Sequence, residues 1–164
     1  PMILGHEVAG HVAELGEGVE GLAVGDLVAV SPSRPCGRCK YSLEGLPNHC
    51  ENMRFYGPAM PFPHIQGAFR QELIADVAQC APAGDLSPGE AAMAEPLSVV
   101  LHACKRAGDL FGKRVLVTGC GPLCTPAIVD ARPAGAAEIV APDLSRTARA
   151  LARTLRVHLA HRIN

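Results

Sequence analysis

Three cysteines in the run Cys36-Gly-Arg-Cys39 to Cys50 have the spacing of a metal knuckle, with Ser42 where a further thiolate would complete the set. A structural zinc is closed by four tetrahedral sulfur or nitrogen ligands, and a Cys-x2-Cys pair brings two of them to one ion from a single tight loop. Pro35, Gly37 and Gly45 supply the turn chemistry such a loop needs. Ser42 offers a hydroxyl that stays protonated near neutral pH, a weaker donor than a thiolate, and His49 is a second candidate for the open position. Two further groups carry chemistry. His6 and Glu7 place an imidazole beside a carboxylate, both zinc-ligand types, and Glu95 adds a carboxylate just before Pro96. Gly119-Cys-Gly121-Pro122-Leu123-Cys124 has the form of a dinucleotide loop without its third glycine, and Asp143 follows at the end of the next expected strand, where an acid bonds adenosine ribose hydroxyls.

The elements that must position these residues are legible in outline. From Val8 to Val30, short apolar runs broken by Gly16, Gly18, Gly21 and Gly25 read as short strands joined by tight turns. Residues 31 to 64 are rich in proline and form an irregular excursion around the cysteines, after which Gly67 to Ala78 returns to strand character. Ser87, Pro88 and Glu90 form a helix start with a capping box. Pro96 is expected to interrupt that helix, biasing Glu95 away from helical dihedrals. Leu97, Val100, Leu101 and Cys104 then mark an apolar helix face ending near Gly108. A buried-type strand at Val115 to Val117, the glycine loop, an Ala-rich helix, a strand at Glu138 to Ala141 and a helix from Ser145 give β-α-β-α order and so a parallel sheet. Pro126 and Pro133 are expected as defects in the Ala-rich helix, and Cys124 as an obstacle to close helix packing.

With 164 residues the chain has length for one domain or parts of two. It is 48% hydrophobic but only 4% aromatic and lacks Trp, so its core is aliphatic. A net charge of -1 gives neither nucleic acid nor a membrane surface an electrostatic partner. No apolar stretch approaches a membrane span and no signal pattern opens the chain. Its odd set of seven cysteines reads as ligands and buried thiols sooner than disulfides. The expected location is cytoplasmic, and both ends read as cut.

Gly5-His6-Glu7-Val8-Ala9-Gly10, Val24-Gly25-Asp26-Leu27-Val28, the cysteine lobe, Ala94-Glu95-Pro96-Leu97 and Gly119-x-Gly121-Pro122 stand in the order in which the zinc-dependent medium-chain alcohol and polyol dehydrogenases carry them. The chain resembles that family, and Arg54-Phe55-Tyr56-Gly57, Phe62-Pro63-His64 and Gly67-Ala68-Phe69 resemble its polyol and sugar-acid branch. The cysteine lobe separates it from zinc-free quinone reductases. The resemblance implies an α/β chain with a β-barrel: a partial GroES-like domain over residues 1–92, then a partial Rossmann doubly wound parallel sheet over residues 93–164. It implies catalytic-zinc roles for His6, Glu7 and Glu95, with a cysteine ligand N-terminal to Pro1, and structural-zinc roles for Cys36, Cys39 and Cys50. Gly119, Gly121, Pro122, Leu123 and Asp143 match cofactor contacts, the acid favouring NAD over NADP. Phe55 and Tyr56 match the substrate pocket or serve as core. The implied reaction is hydride transfer from a secondary alcohol of a polyol or sugar acid, such as L-idonate oxidised to 5-keto-D-gluconate, by a homodimer or tetramer. A competing expectation, from Ser42, Cys124, Pro126 and Pro133, is a catalytically inactive remnant that at most holds zinc.

Overall fold

A computed structural model describes residues 1–57, 62–155 and 157. The chain divides into two compact units, Pro1–Glu95 and Pro96–Asn164.

In the first unit, β1 (Val8–His11), β2 (Leu27–Val30) and β5 (Cys80–Pro82) form an antiparallel sheet in the order β1-β2-β5. Val8 faces Val30 and His11 faces Leu27 in one pair, and Val30 faces Cys80 in the other. The central strand is the most apolar and buries Leu27, Val28 and Val30, while Pro82, without an N–H to give a ladder, sits at the end of an edge strand. The pair β3 (Ser33–Arg34) and β4 (Arg54–Phe55) closes the base of the cysteine lobe. That lobe contains helix α1 (Lys40–Leu43) and a single helical turn at Pro47–His49. An exposed ion pair from Arg34 to Asp76, 2.6 Å, ties the base to the segment before β5. Helix α2 (Pro88–Ala92) packs on β1 and β2 with Ala91 buried.

Two sequence expectations change here. Gly67 to Ala78 is not a strand: Gly67, Ala68 and Phe69 donate backbone hydrogen bonds to Ile3, Gly5 and Leu4 respectively, an order that cannot extend as a regular ladder. The helix break falls at Met93, three residues before Pro96, and α3 runs Ala94–Ala107 with Glu95 and Pro96 in its first turn. First-turn N–H groups have no intrahelical partner, so proline there removes no bond.

The second unit holds β6 (Arg114–Leu116), α4 (Cys124–Ala131), β7 (Glu138–Val140) and α5 (Arg146–Thr154). The strands pair in parallel, Val115 opposite Ile139. Cys120, Ile128, Ala131, Ile139, Ala141 and Ala152 form the buried core, with Val115 and Val117 packed against it. Leu116 alternates to the other face and is 64% exposed, so the strand is half-buried and not buried throughout as its composition implied.

The prolines of α4 are also resolved differently from expectation. Thr125 N–H already donates to Gly121 O, 2.9 Å, but Pro126 has no N–H for the next bond, and the regular helix starts at Cys124. Pro126 therefore lies in a first turn, and Pro133 lies beyond the C-terminal residue Ala131. Neither interrupts a helix interior. All seven cysteines are free thiols. No helix among the described residues is long and apolar enough to cross a membrane.

Candidate functional site

His6 stands just before β1, on backbone held by an interlock of three glycines. A β-carbon on Gly67 would lie 2.4 Å from Leu4 carbonyl atoms, and one on Gly57 would lie 2.6 Å from Gly5 O. Gly5 has φ +94°, a conformation closed to most side chains, and the Phe69 ring occupies the space a β-carbon would take. The chain can approach itself this closely only with glycine, and that approach fixes the residue preceding His6. The imidazole then lies 5.5 Å from the Phe55 ring, tilted by 60°. Glu95 reaches the same place from the first turn of α3, and one ligand atom each from His6, Glu7 and Glu95 falls within 4.8 Å of the others. Burial pushes the Glu95 carboxyl above the usual range; the nearby imidazole opposes this and the Glu7 carboxylate adds to it. One imidazole nitrogen and two carboxylate oxygens suit a catalytic zinc, which takes three protein ligands and keeps a position for substrate. The donor set fits that metal.

Tyr56, expected at the substrate pocket, donates its hydroxyl to Ile74 O at 2.9 Å and approaches Gln79 Oε1 at 3.5 Å. Gln79 is the one buried polar side chain among the described residues. Its amide donates to Ser31 O and Ser33 O, and its Oε1 accepts from Asp76 N, so it pins the start of β3 to the turn before β5. The sequence reading missed it. The Asp76-x-x-Gln79 spacing, a capping-box pattern, was the available clue.

In the lobe, Cys36, Cys39 and Cys50 bring their sulfurs within 4.8 Å of one another. Cys36 N–H donates to Cys50 Sγ at 3.2 Å. The Arg38 backbone N–H is the main influence that lowers the Cys36 thiol to about 6, with burial opposing it. The Ser42 hydroxyl is the largest cause lowering Cys39. Thiols that give up protons readily are what a zinc knuckle requires. His49 does not join the group; its ring lies 6.0 Å from that of Tyr41.

The second unit holds the glycine loop by itself. Gly119 has φ +97°, and space above Gly121 is open, with nothing within 4 Å of a β-carbon built there. Pro122 and Leu123 are exposed ahead of α4. Asp143 ties the loop down: Oδ2 accepts from Cys120 N–H at 2.7 Å and Oδ1 from Ser145 N–H at 2.6 Å. Those two bonds, Ser145 first, hold its carboxyl below the usual range. Cys124 is accommodated, its thiol donating to Thr118 O at 3.5 Å. A bare, glycine-lined turn opening a helix, with a charged acid beside it, fits a dinucleotide.

Residues 1–85 match the alcohol dehydrogenase GroES-like domain family. L-idonate 5-dehydrogenase (NAD(P)(+)) of Escherichia coli is 44% identical over 150 residues, covering 88% of this chain and 42% of that protein. Sorbitol dehydrogenase of Arabidopsis thaliana is 37% identical over 156 residues, covering 94% of this chain and 42% of that protein. The crystal structure of the Escherichia coli L-idonate 5-dehydrogenase superposes with a TM-score of 0.90 at 40% identity, over 98% of this chain and 46% of that one. This chain thus spans less than half the length of these relatives.

Proposed function

The chain belongs to the zinc alcohol and polyol dehydrogenase family, and on that premise we propose that it serves to oxidise a secondary alcohol of a polyol or sugar acid with NAD as acceptor. L-Idonate is the substrate proposed, giving 5-keto-D-gluconate, NADH and a proton. The observation that carries the reading is the convergence of His6, Glu7 and Glu95 within 4.8 Å. Zinc bound there supplies Lewis acidity at the alcohol oxygen, which makes the neighbouring carbon a better hydride donor.

The chain's own residues orient and discriminate. His6, Glu7 and Glu95 would hold the metal that polarises the alcohol. Phe55, its ring 5.5 Å from the imidazole, would give the site an apolar wall. Tyr56, the residue after Phe55, is the second side chain proposed for the substrate pocket; its hydroxyl is engaged at Ile74 O. Gly119, Gly121, Pro122 and Leu123 offer backbone to the pyrophosphate, and Asp143 selects NAD, because its carboxylate repels a 2'-phosphate.

The inactive-remnant reading is weakened at three of its four supports, since Pro126 and Cys124 are accommodated without a break in α4 and Pro133 lies beyond its end at Ala131. Zinc analysis, NADH fluorescence titration and NADH formation from L-idonate and sorbitol test the proposal together. Zinc and NADH binding with L-idonate preferred is the expected outcome; a chain that binds neither zinc nor NADH refutes it.

A further inference from the structure

The lobe presents four donor atoms although only three are thiols. Around a tetrahedral zinc with Zn–S bonds of about 2.3 Å, two sulfur ligands stand about 3.8 Å apart, and a sulfur and an oxygen ligand about 3.6 Å. Cys39 Sγ and Cys50 Sγ are 3.8 Å apart. Ser42 Oγ lies 3.3 Å from Cys39 Sγ and 4.0 Å from Cys36 Sγ, bracketing the mixed edge. Local backbone sets this placement. Cys39 is the N-cap of α1 and its carbonyl accepts from Leu43 N–H at 3.0 Å, so the helix turns Ser42 back over the residue three before it. The hydroxyl is thereby aimed at the sulfurs.

We propose that Ser42 is a metal ligand, its neutral hydroxyl oxygen filling the fourth position of a Cys36–Cys39–Cys50 site for zinc. The inference rests on the reading of the lobe as a zinc site and departs from the view of Ser42 as a missing ligand. In the bound state the three cysteines would be thiolates, while the hydroxyl keeps its proton. The site then carries one negative charge, where four thiolates would carry two. A neutral oxygen donor is weaker than a thiolate. Zinc is accordingly held less tightly here than in a four-cysteine lobe, and its fourth position exchanges.

Cobalt(II) loaded onto the whole chain reads this site selectively, because sulfur-to-cobalt charge-transfer absorption arises only where thiolates bind. His6, Glu7 and Glu95 contain no sulfur. Wild type is expected to show charge transfer from three thiolates with tetrahedral ligand-field bands. Ser42→Ala should keep the charge transfer, alter the ligand-field bands and weaken affinity at least tenfold, the lower end of what losing even an outer-shell partner costs. Ser42→Cys should raise charge-transfer intensity by roughly a third, the step from three thiolates to four, and tighten binding.

Ser42→Ala with unchanged affinity and unchanged ligand-field bands would overturn the proposal. So would a wild type that shows no charge transfer while Ser42→Cys does. Unfolding transitions of both variants confirm that each is folded. A chain with the expected lobe spectra but no NADH binding and no alcohol oxidation would refute the dehydrogenase reading and leave ligation by Ser42 standing.

Discussion

Gly67→Ala tests the glycine interlock that positions His6. The substitution carries no dihedral penalty of the kind Gly5 would impose, since Gly67 lacks a positive φ. Its effect is therefore steric. The new β-carbon would lie 2.4 Å from Leu4 carbonyl atoms, where ordinary contact begins at 3.4 Å, so one backbone must retreat by the difference, 1.0 Å. That retreat strains or breaks the bonds that Gly67, Ala68 and Phe69 give to Ile3, Gly5 and Leu4, at 2.7, 2.8 and 3.0 Å. A net hydrogen bond is worth about 1 kcal/mol and overpacking costs about 1–3 kcal/mol, so a loss of about 2–4 kcal/mol is expected. For the first unit, Pro1–Glu95, that is a fall of roughly 10–30 °C in melting temperature. Metal sites tolerate misplacement of only about 0.5 Å, so zinc affinity at His6, Glu7 and Glu95 should also drop. Thermal unfolding with and without zinc is the assay. Gly89→Ala in α2 is the control: nothing lies within 4 Å of its β-carbon, and better helix propensity should stabilise by roughly 1 kcal/mol. If Gly67→Ala melts with wild type and binds zinc equally well, the interlock does not hold His6 in place.

Gln79→Ala leaves the carbonyls of Ser31 and Ser33 without their side-chain donor and should cost about 1–3 kcal/mol, read by denaturant unfolding. Ser87→Ala removes the cap of α2 and should cost about 1 kcal/mol. The same change should raise the titration midpoint of Glu90, followed by NMR, because Ser87 is what depresses it. Asp143 has a folded-state pKa below its unfolded value, so its contribution to stability is present above the unfolded value and disappears as pH falls through the folded one. Asp143→Asn should flatten that acid limb of the stability profile and weaken NADH binding. Chelation of zinc at the lobe should lower the first unit's melting temperature, and zinc in hundredfold excess over its dissociation constant should restore about 2.7 kcal/mol.

What the sequence made legible was what repeats locally. The Ser87-Pro88-Glu90 start of α2 is formed as the capping pattern requires, with Glu90 bonded back to Ser87 N and Oγ. The strand, loop, helix and acid of the second unit are read from spacing alone, since each depends on neighbours a few residues away. The reading failed where a contact joined distant segments. Gly67 to Ala78 has strand composition, yet its first three backbone donors, Gly67, Ala68 and Phe69, are taken by residues 3–5, and no period in the sequence announces that pairing. Gln79 reads as an ordinary surface amide until Ser31 and Ser33 close over it. Proline misled in a different way. Its effect depends on whether it lies in a first turn or an interior, a difference of a few residues that sets whether a hydrogen bond is lost at all.

That dependence bears on how the departures at Ser42, Cys124 and Pro126 combine. As letters they share a direction, each replacing a favoured residue, and together they suggest decay. As atoms they are three separate cases. Pro126 falls in the first turn of α4, two residues after its start at Cys124, and the helix continues through it to Ala131. Cys124 turns its sulfur onto the Thr118 carbonyl at 3.5 Å and leaves the space above Gly121 open, so the surface a pyrophosphate would approach is unobstructed. Ser42 alone touches a candidate donor set, its oxygen 3.3 and 4.0 Å from two sulfurs. Two of the three thus leave the loop and helix intact, and on the proposed reading the third would weaken one metal site without abolishing it. The charge-transfer and ligand-field spectra of the cobalt-loaded chain, compared between Ser42→Ala and Ser42→Cys, decide that last case by direct measurement of the ligand set.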